Sequence, residues 1–282
     1  MNKGIYRRRK VMNAIGMGLS GLSMIVGLSA LLWILWTLLY RGLGAFSVDF
    51  FLQSTPAPGS PGGGMANAIV GSLMMVGITT FVATPIGILA GIYLAEYGQR
   101  SRFGRLTRFV TDIMLSAPSI VIGLFVYAVA VATVKHFSGW AGSLALCLIA
   151  IPVVVRTTEN MLNLVPGSLR EAAFALGAPR WKVSLSITLR AVRGGIITGV
   201  LLAVARIIGE TAPLLFTALN NQFFSTDMSQ PMASLPVVIY NFAMSPYEDW
   251  QALAWGGAAL IALIVLAINI AARVLFREKV QA

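Results

Sequence analysis

Two charges stand deep inside an apolar stretch, Arg206 and Glu210 of the segment 194–219. An ionised arginine near the middle of a membrane span costs about 2.5–3.5 kcal/mol even on a lenient insertion scale, so something must compensate it. Glu210 lies four residues on, one turn along a helix and within reach of an ion pair. Arg before Glu is the weaker order for such a pair, which makes local helix stability a poor reason for keeping both. The planar guanidinium fork matches an oxyanion through two parallel N–H bonds. The spacing therefore fits a polar pathway in which Arg206 meets an anion and Glu210 limits its grip. The competing reading is an ion pair that only fixes helix packing. Other chemistry is scarce. A single cysteine, Cys147, forms no internal disulfide, and a single histidine, His136, builds no metal cluster. None of the five lysines, Lys3, Lys10, Lys135, Lys182 and Lys279, lies in a G-x-x-x-x-G-K-[ST] loop, so the chain has no usual cradle for ATP phosphates. No catalytic residue, metal or cofactor is expected, and energy must arrive through a partner.

The elements that hold these residues are read from composition. Of 282 residues 57% are hydrophobic and 11% charged, against about 25% charged in a soluble domain. An ordinary water-soluble enzyme is excluded. Six stretches approach the length of a bilayer crossing: 14–40, 66–94, 109–134, 137–155, 194–219 and 252–272. The fourth is the weakest, since its strictly apolar part starts at Ala141 and contains Pro152. The first follows Arg7, Arg8, Arg9 and Lys10 but is too long for a signal peptide's apolar region, so it reads as an uncleaved span. Basic residues alternate between the intervals. Of the 21, 18 fall in the N-terminal tail, 95–108, 156–193 and the C-terminal tail; on the other side are Arg41 and Lys135, and the segment 220–251 has none. The positive-inside rule then predicts both termini in the cytoplasm and accounts for the net charge of +11 without nucleic acid. The expected class is all-α, a polytopic membrane protein with six transmembrane helices. The Pro/Gly/Ser stretch Ser54–Gly64 reads as an extracytoplasmic linker, dividing a region 1–65 from a body 66–272, with a tail 273–282.

The interval 156–193 is too long for a turn and carries a helix specification. Ser168 is the expected N-cap, Glu171 completes a capping box, and Gly177 followed by Pro179 ends the helix. Leu169, Ala172, Ala173 and Leu176 share one face. Two turns are marginal alone in water, so this helix needs a surface to pack on: a partner, its own spans, or the headgroup layer. Among other polar residues, Asp112 reads as an interfacial pair with Arg108. Asn67, Thr79, Thr80, Gly71 and Gly77 read as close helix packing, and Pro85 as a kink. Leu235–Ala243 reads as a short amphipathic helix or re-entrant gate, and the aromatic residues around it as interfacial anchors.

Glu171-Ala172-Ala173, three residues, Gly177, nine residues, then Ile187-Thr188-Leu189 closely resembles the EAA motif of ABC-transporter permeases, with Arg190 where that family usually has proline. Ala117-Pro-Ser-Ile-Val-Ile-Gly123, Leu164–Ala173 and Ala205-Arg-Ile-Ile-Gly-Glu-Thr-Ala-Pro-Leu-Leu-Phe-Thr-Ala218 narrow the resemblance to the phosphate-specific (Pst) permeases of A type, over about residues 66–272. The resemblance implies the ABC importer type I permease fold in the cell inner membrane and transport of inorganic phosphate. It also implies a coupling loop, 160–190, whose helix docks in a cleft of the ATPase. Its implied partners are a C-type phosphate permease, two ATP-binding subunits and a periplasmic phosphate-binding protein. Arg206 and Glu210 fall on positions that this family implicates in transport, the resemblance being exact at Arg206, Gly209, Glu210 and Thr211, so that Arg206, Glu210 and Thr211 are the expected pathway residues. Another oxyanion, such as sulfate or molybdate, and an ion-coupled transporter or multispan enzyme stay open as alternatives.

Overall fold

The computed structural model describes residues 3–60 and 62–275, and all regular structure among them is helical. Helix α1 (Lys3–Gly44) is one rod of 42 residues, about 63 Å at 1.5 Å per residue and twice the thickness of a hydrocarbon core. The expected span 14–40 lies within it. Its cationic start is unfavourable for the helix dipole, so those charges serve placement rather than helix stability. Most of the rod is exposed. It meets the rest of the chain near Gly42, where a β-carbon would strike Ala259 and the Trp255 carbonyl of the last helix, and Arg41 lies 5.5 Å over the Trp255 ring.

Ser47 accepts from Phe50 N to start the short α2 (Val48–Leu52). Phe50, fully buried, anchors α2 on the start of α3 (Ala66–Ile92) and on α14 (Glu248–Leu275). The linker is less free than its composition suggests. Asn67 accepts from Thr55 N at 3.2 Å and donates to Thr55 Oγ1 and to the Asn221 and Gln222 carbonyls. It is therefore a clasp between the linker and a loop far along the chain, rather than a helix-packing residue.

Helix α3 continues through Pro85 and ends in a π-helical turn, Tyr93–Tyr97. It packs along α7 (Gly139–Asn163), the helix read as the weakest span. Helix α7 is the most buried of the four long candidate spans. Ser138 caps it, so Phe137 and Ser138 stay outside, and it runs on past Val155 to Asn163, taking Arg156 out of the loop. Its glycines, alanines and serines lower its hydropathy because the centre of a membrane bundle selects small residues. The facing side of α3 does the same: a β-carbon on Gly87 or Gly91 would strike Val154 or Thr158. Thr79 donates to the Ser143 carbonyl as expected of a packing residue, and Gly71 abuts the Ala233 carbonyl. Gly77 faces open space and Thr80 bonds its own helix, so neither packs as expected.

Two expected spans are broken. The stretch 109–134 divides into α4 (Arg102–Ser116) and a second rod made of α5 (Ser119–Val126), a π turn and α6 (Ala132–Val134), bent by 107°. Pro118 disfavours helical geometry at the residue before it, and Ala117 is extended at ψ 135°. The second break, between α11 (Arg193–Ile208) and α12 (Ala212–Thr217), belongs to the site. Among the described residues four helices are long and apolar enough to cross a membrane, or six if the bent pairs 102–116 with 119–134 (107°) and 180–191 with 193–208 (73°) each count as one span. Helix α13 (Leu235–Ala243) forms at its expected bounds and packs against α14. Arg273 sits in the last turn of α14. Arg277 and Lys279 of the C-terminal tail lie outside the described residues.

Candidate functional site

Helix α11 stops because of Gly209 and Pro213. Proline has no N–H to give and its ring would strike the carbonyl four residues back, so a helix through 209–213 is blocked. The last turn tightens instead, with Gly209 N donating to Arg206 O and Glu210 N to Ile207 O, both at 3.3 Å. The expected ion pair is present, Arg206 Nε to Glu210 Oε1 at 3.6 Å, but it spans a helix end rather than a turn within a span. Arg206 thereby gains the favourable C-terminal end of the α11 dipole, worth about 0.3–1 kcal/mol. Its side chain is 48% exposed while that of Glu210 is 14% exposed, so Glu210 is held in the protein and Arg206 reaches out. Thr211 occupies the gap before α12, with its backbone carbonyl accepting from Leu215 N and its hydroxyl capping nothing.

The helices that follow the two breaks, α5 and α12, meet. A β-carbon on Gly123 of α5 would lie 2.6 Å from Pro213 Cα, so the Ala117–Gly123 motif forms the surface on which α12 rests. On the other side, a cavity of about 680 Å³ lies between α7, α11 and the start of the coupling loop, lined on α11 by Gly195, Thr198, Gly199 and Leu202. Arg206 is one turn beyond Leu202 on that stripe.

The segment 160–190, expected to be a coupling loop, contains α8 (Gly167–Ala175), α9 (Arg180–Lys182), a π-helical segment Val183–Thr188 and the start of α10 (Leu189–Ala191). Ser168 is not the cap. Pro166, fixed at φ −59°, holds that position, α8 begins at Gly167, and neither Ser168 nor Glu171 forms the expected capping box. The C-terminus is as expected: Gly177 has φ +77°, Gly177 N donates to Phe174 O and Ala178 N to Ala173 O, closing the last turn through a left-handed residue. On the expected face only Ala173 is buried, against the π-helical segment. Leu169, Ala172 and Leu176 are exposed, Leu176 at 88%. Leu164, Phe174 and Trp181 of the same segment are exposed as well. Helix runs through Arg190, and the 73° bend into α11 comes at Val192, two residues past the position of the family's proline.

What holds α8 is Arg170, a residue the sequence reading passed over. Its Nη1 donates to Val165 O at 2.7 Å, its Nη2 to Leu162 O at 2.8 Å and to Glu96 Oε1 at 3.0 Å, and its Nε to Glu96 Oε1 at 3.2 Å. One guanidinium thus ties α8 to the end of α7 and to the π turn that closes α3. The same turn is gripped by Arg108, which donates to Leu94 O at 2.7 Å and to Glu159 at 2.6 Å. Asp112 pairs with Arg156 at 3.8 Å instead of Arg108, because the more buried Glu159 takes the Arg108 guanidinium. The signal missed was the presence of acids among the arginines of the basic intervals, Glu96, Glu159 and Glu171, with Asp112 just beyond 95–108.

A family profile described as "Binding-protein-dependent transport system inner membrane component" matches residues 87–279. The chain is 60% identical to the phosphate transport system permease protein PstA of Haemophilus influenzae over 96% of each chain. It is 58% identical to the PstA of Pasteurella multocida over 99% of each. In shape it is similar to a subunit of the inward-facing MetNI methionine ABC transporter, with a TM-score of 0.63 over 74% of this chain and 93% of that one, at 19% identity. These likenesses show the family: the chain belongs to the binding-protein-dependent transport inner-membrane components, within the PstA group of permeases.

Proposed function

We propose that this protein is the A-type permease subunit of an ABC importer that carries inorganic phosphate across the inner membrane. The observation that carries the reading is the near full-length similarity to PstA proteins together with Arg206 placed, half exposed, at a helix break. In this reading both termini are cytoplasmic and the chain crosses six times, with the fifth crossing made by α11 and α12. Broken helices suit an anion path, since they bring polar backbone and side chains to membrane depth where they line a cavity. Arg206 offers the guanidinium to phosphate oxygens, Glu210 keeps that grip weak enough for release, and Thr211 contributes a hydroxyl at the gap.

The outward face of α8, with Leu169, Glu171, Ala172 and Leu176, seats in an ATP-binding subunit, and Arg170 passes its movement to α3 and α7. Two such ATPase subunits, a C-type permease and a periplasmic phosphate-binding protein complete the machine. The chain itself hydrolyses nothing and needs no cofactor. Uptake of labelled phosphate by vesicles holding the complete complex, with sulfate and molybdate as competitors, tests the substrate. Phosphate uptake that those anions do not depress is the expected result, and transport of either in preference to phosphate overturns it.

A further inference from the structure

We infer that α4 is a membrane-surface strap that reads anionic lipid: its apolar face lies among acyl chains and Arg100, Arg102 and Arg105 engage lipid phosphates. The bend of 107° turns α4 out of line with α5–α6, which packs along α7 through Val126, Val131, Ala141 and Ala145. Helix α4 therefore does not continue that crossing. Its depth is fixed by charge: Arg108 and Asp112 pair with Glu159 and Arg156, the two charged residues of α7, in its C-terminal half, the level at which side-chain charges reach the headgroup layer.

Helix α4 has three faces. Gly104 and Thr111 are buried, and Gly104 lies against the Gly98 carbonyl, where a β-carbon would strike it. Phe103, Leu106, Val110 and Ile113 recur at i, i+3, i+7 and i+10 and are 45–64% exposed. Arg102 and Arg105, with Arg100 just before the helix, form the cationic edge. Among the described residues none of these three enters an ion pair, whereas Arg108, Arg156, Arg170 and Arg206 all do. One protein-facing side, one apolar side and one basic side on a single helix is the arrangement of an in-plane amphipathic helix. Burying the apolar face on another protein would leave the three arginines without counter-charge; an anionic bilayer supplies both needs. Each basic residue near such a surface adds about five-fold to binding.

The test uses the whole complex in bilayers of phosphatidylcholine with phosphatidylglycerol. Cys147 is buried, so a thiol label is directed to an introduced cysteine. A nitroxide on Leu106→Cys should collide with oxygen and be shielded from a water-soluble nickel chelate, and one on Arg105→Cys should show the reverse. Equal nickel access at both sites would place α4 off the membrane. Shielding of position 106 from both reagents would mean that a protein covers the face, and either result overturns the proposal. With a fluorophore at 106, brominated phosphatidylglycerol should quench more than brominated phosphatidylcholine, and Arg102→Gln with Arg105→Gln should reduce that preference about ten-fold or more. Equal quenching by the two lipids in the parent complex overturns the anionic preference even if the depth is correct.

Discussion

At the scale of single residues, the transport reading depends on a charge held where charges are costly. Arg206→Gln removes the guanidinium and keeps much of the side chain's length. Losing a charge-assisted hydrogen bond is worth about 1.5–3 kcal/mol, so phosphate uptake should fall about ten- to a hundred-fold while the complex still purifies intact. Uptake assays alongside subunit recovery check this, and normal uptake would remove Arg206 from the pathway. Arg206 and Glu210 were legible because ionised groups inside an apolar run have few structural excuses. The break between them was also written in the sequence, in Gly209 and in Pro213 four residues on, but a hydropathy window averages over it. Ser168 misled for a different reason. Serine before an apolar helical pattern is a strong cap signal, yet Pro166 two residues earlier, with its fixed φ, claims the cap position first.

Among elements, the bundle centre is set by close approach and the coupling loop by ion pairs. Gly199 of α11 abuts Thr157 of α7 so closely that a β-carbon would overlap the threonine methyl. Gly199→Val should overpack this crossing, cost about 1–3 kcal/mol, and lower the thermal unfolding temperature of the complex in detergent. Glu96→Gln is a milder change. It removes the carboxylate from Arg170 but leaves the bonds to Leu162 O and Val165 O that keep α8 formed. ATPase subunits should still copurify, while phosphate moved per ATP hydrolysed declines; an unchanged ratio would deny Arg170 a part in transmission. The helices themselves were readable from hydropathy, and α13 and the Gly177 terminus were found at their bounds. The buried rank of α7 was not, because the small residues that make a helix central in a membrane bundle also make it look less apolar.

For the whole molecule, the sequence predicts six crossings from charge and length, whereas the structure holds four unbroken helices long and apolar enough to cross among the described residues, with two further candidates in bent pairs. The rod α1 projects from the body with little of its surface covered. The outward apolar face of α8 gives the clearest prediction at this scale. Leu176→Glu puts a charge on a residue 88% exposed, so this chain's own fold should be unaffected while recovery of the ATP-binding subunit drops. Equal recovery from the parent and variant complexes would move the docking surface elsewhere.

The central claim is that this chain shapes a path for phosphate but takes its energy from another polypeptide. Its most direct test is accumulation of labelled phosphate in sealed vesicles supplied with ATP and the binding protein, comparing the assembled complex with this chain reconstituted alone. The account predicts accumulation with the complex and none with the single chain; concentrative uptake by the single chain would contradict it.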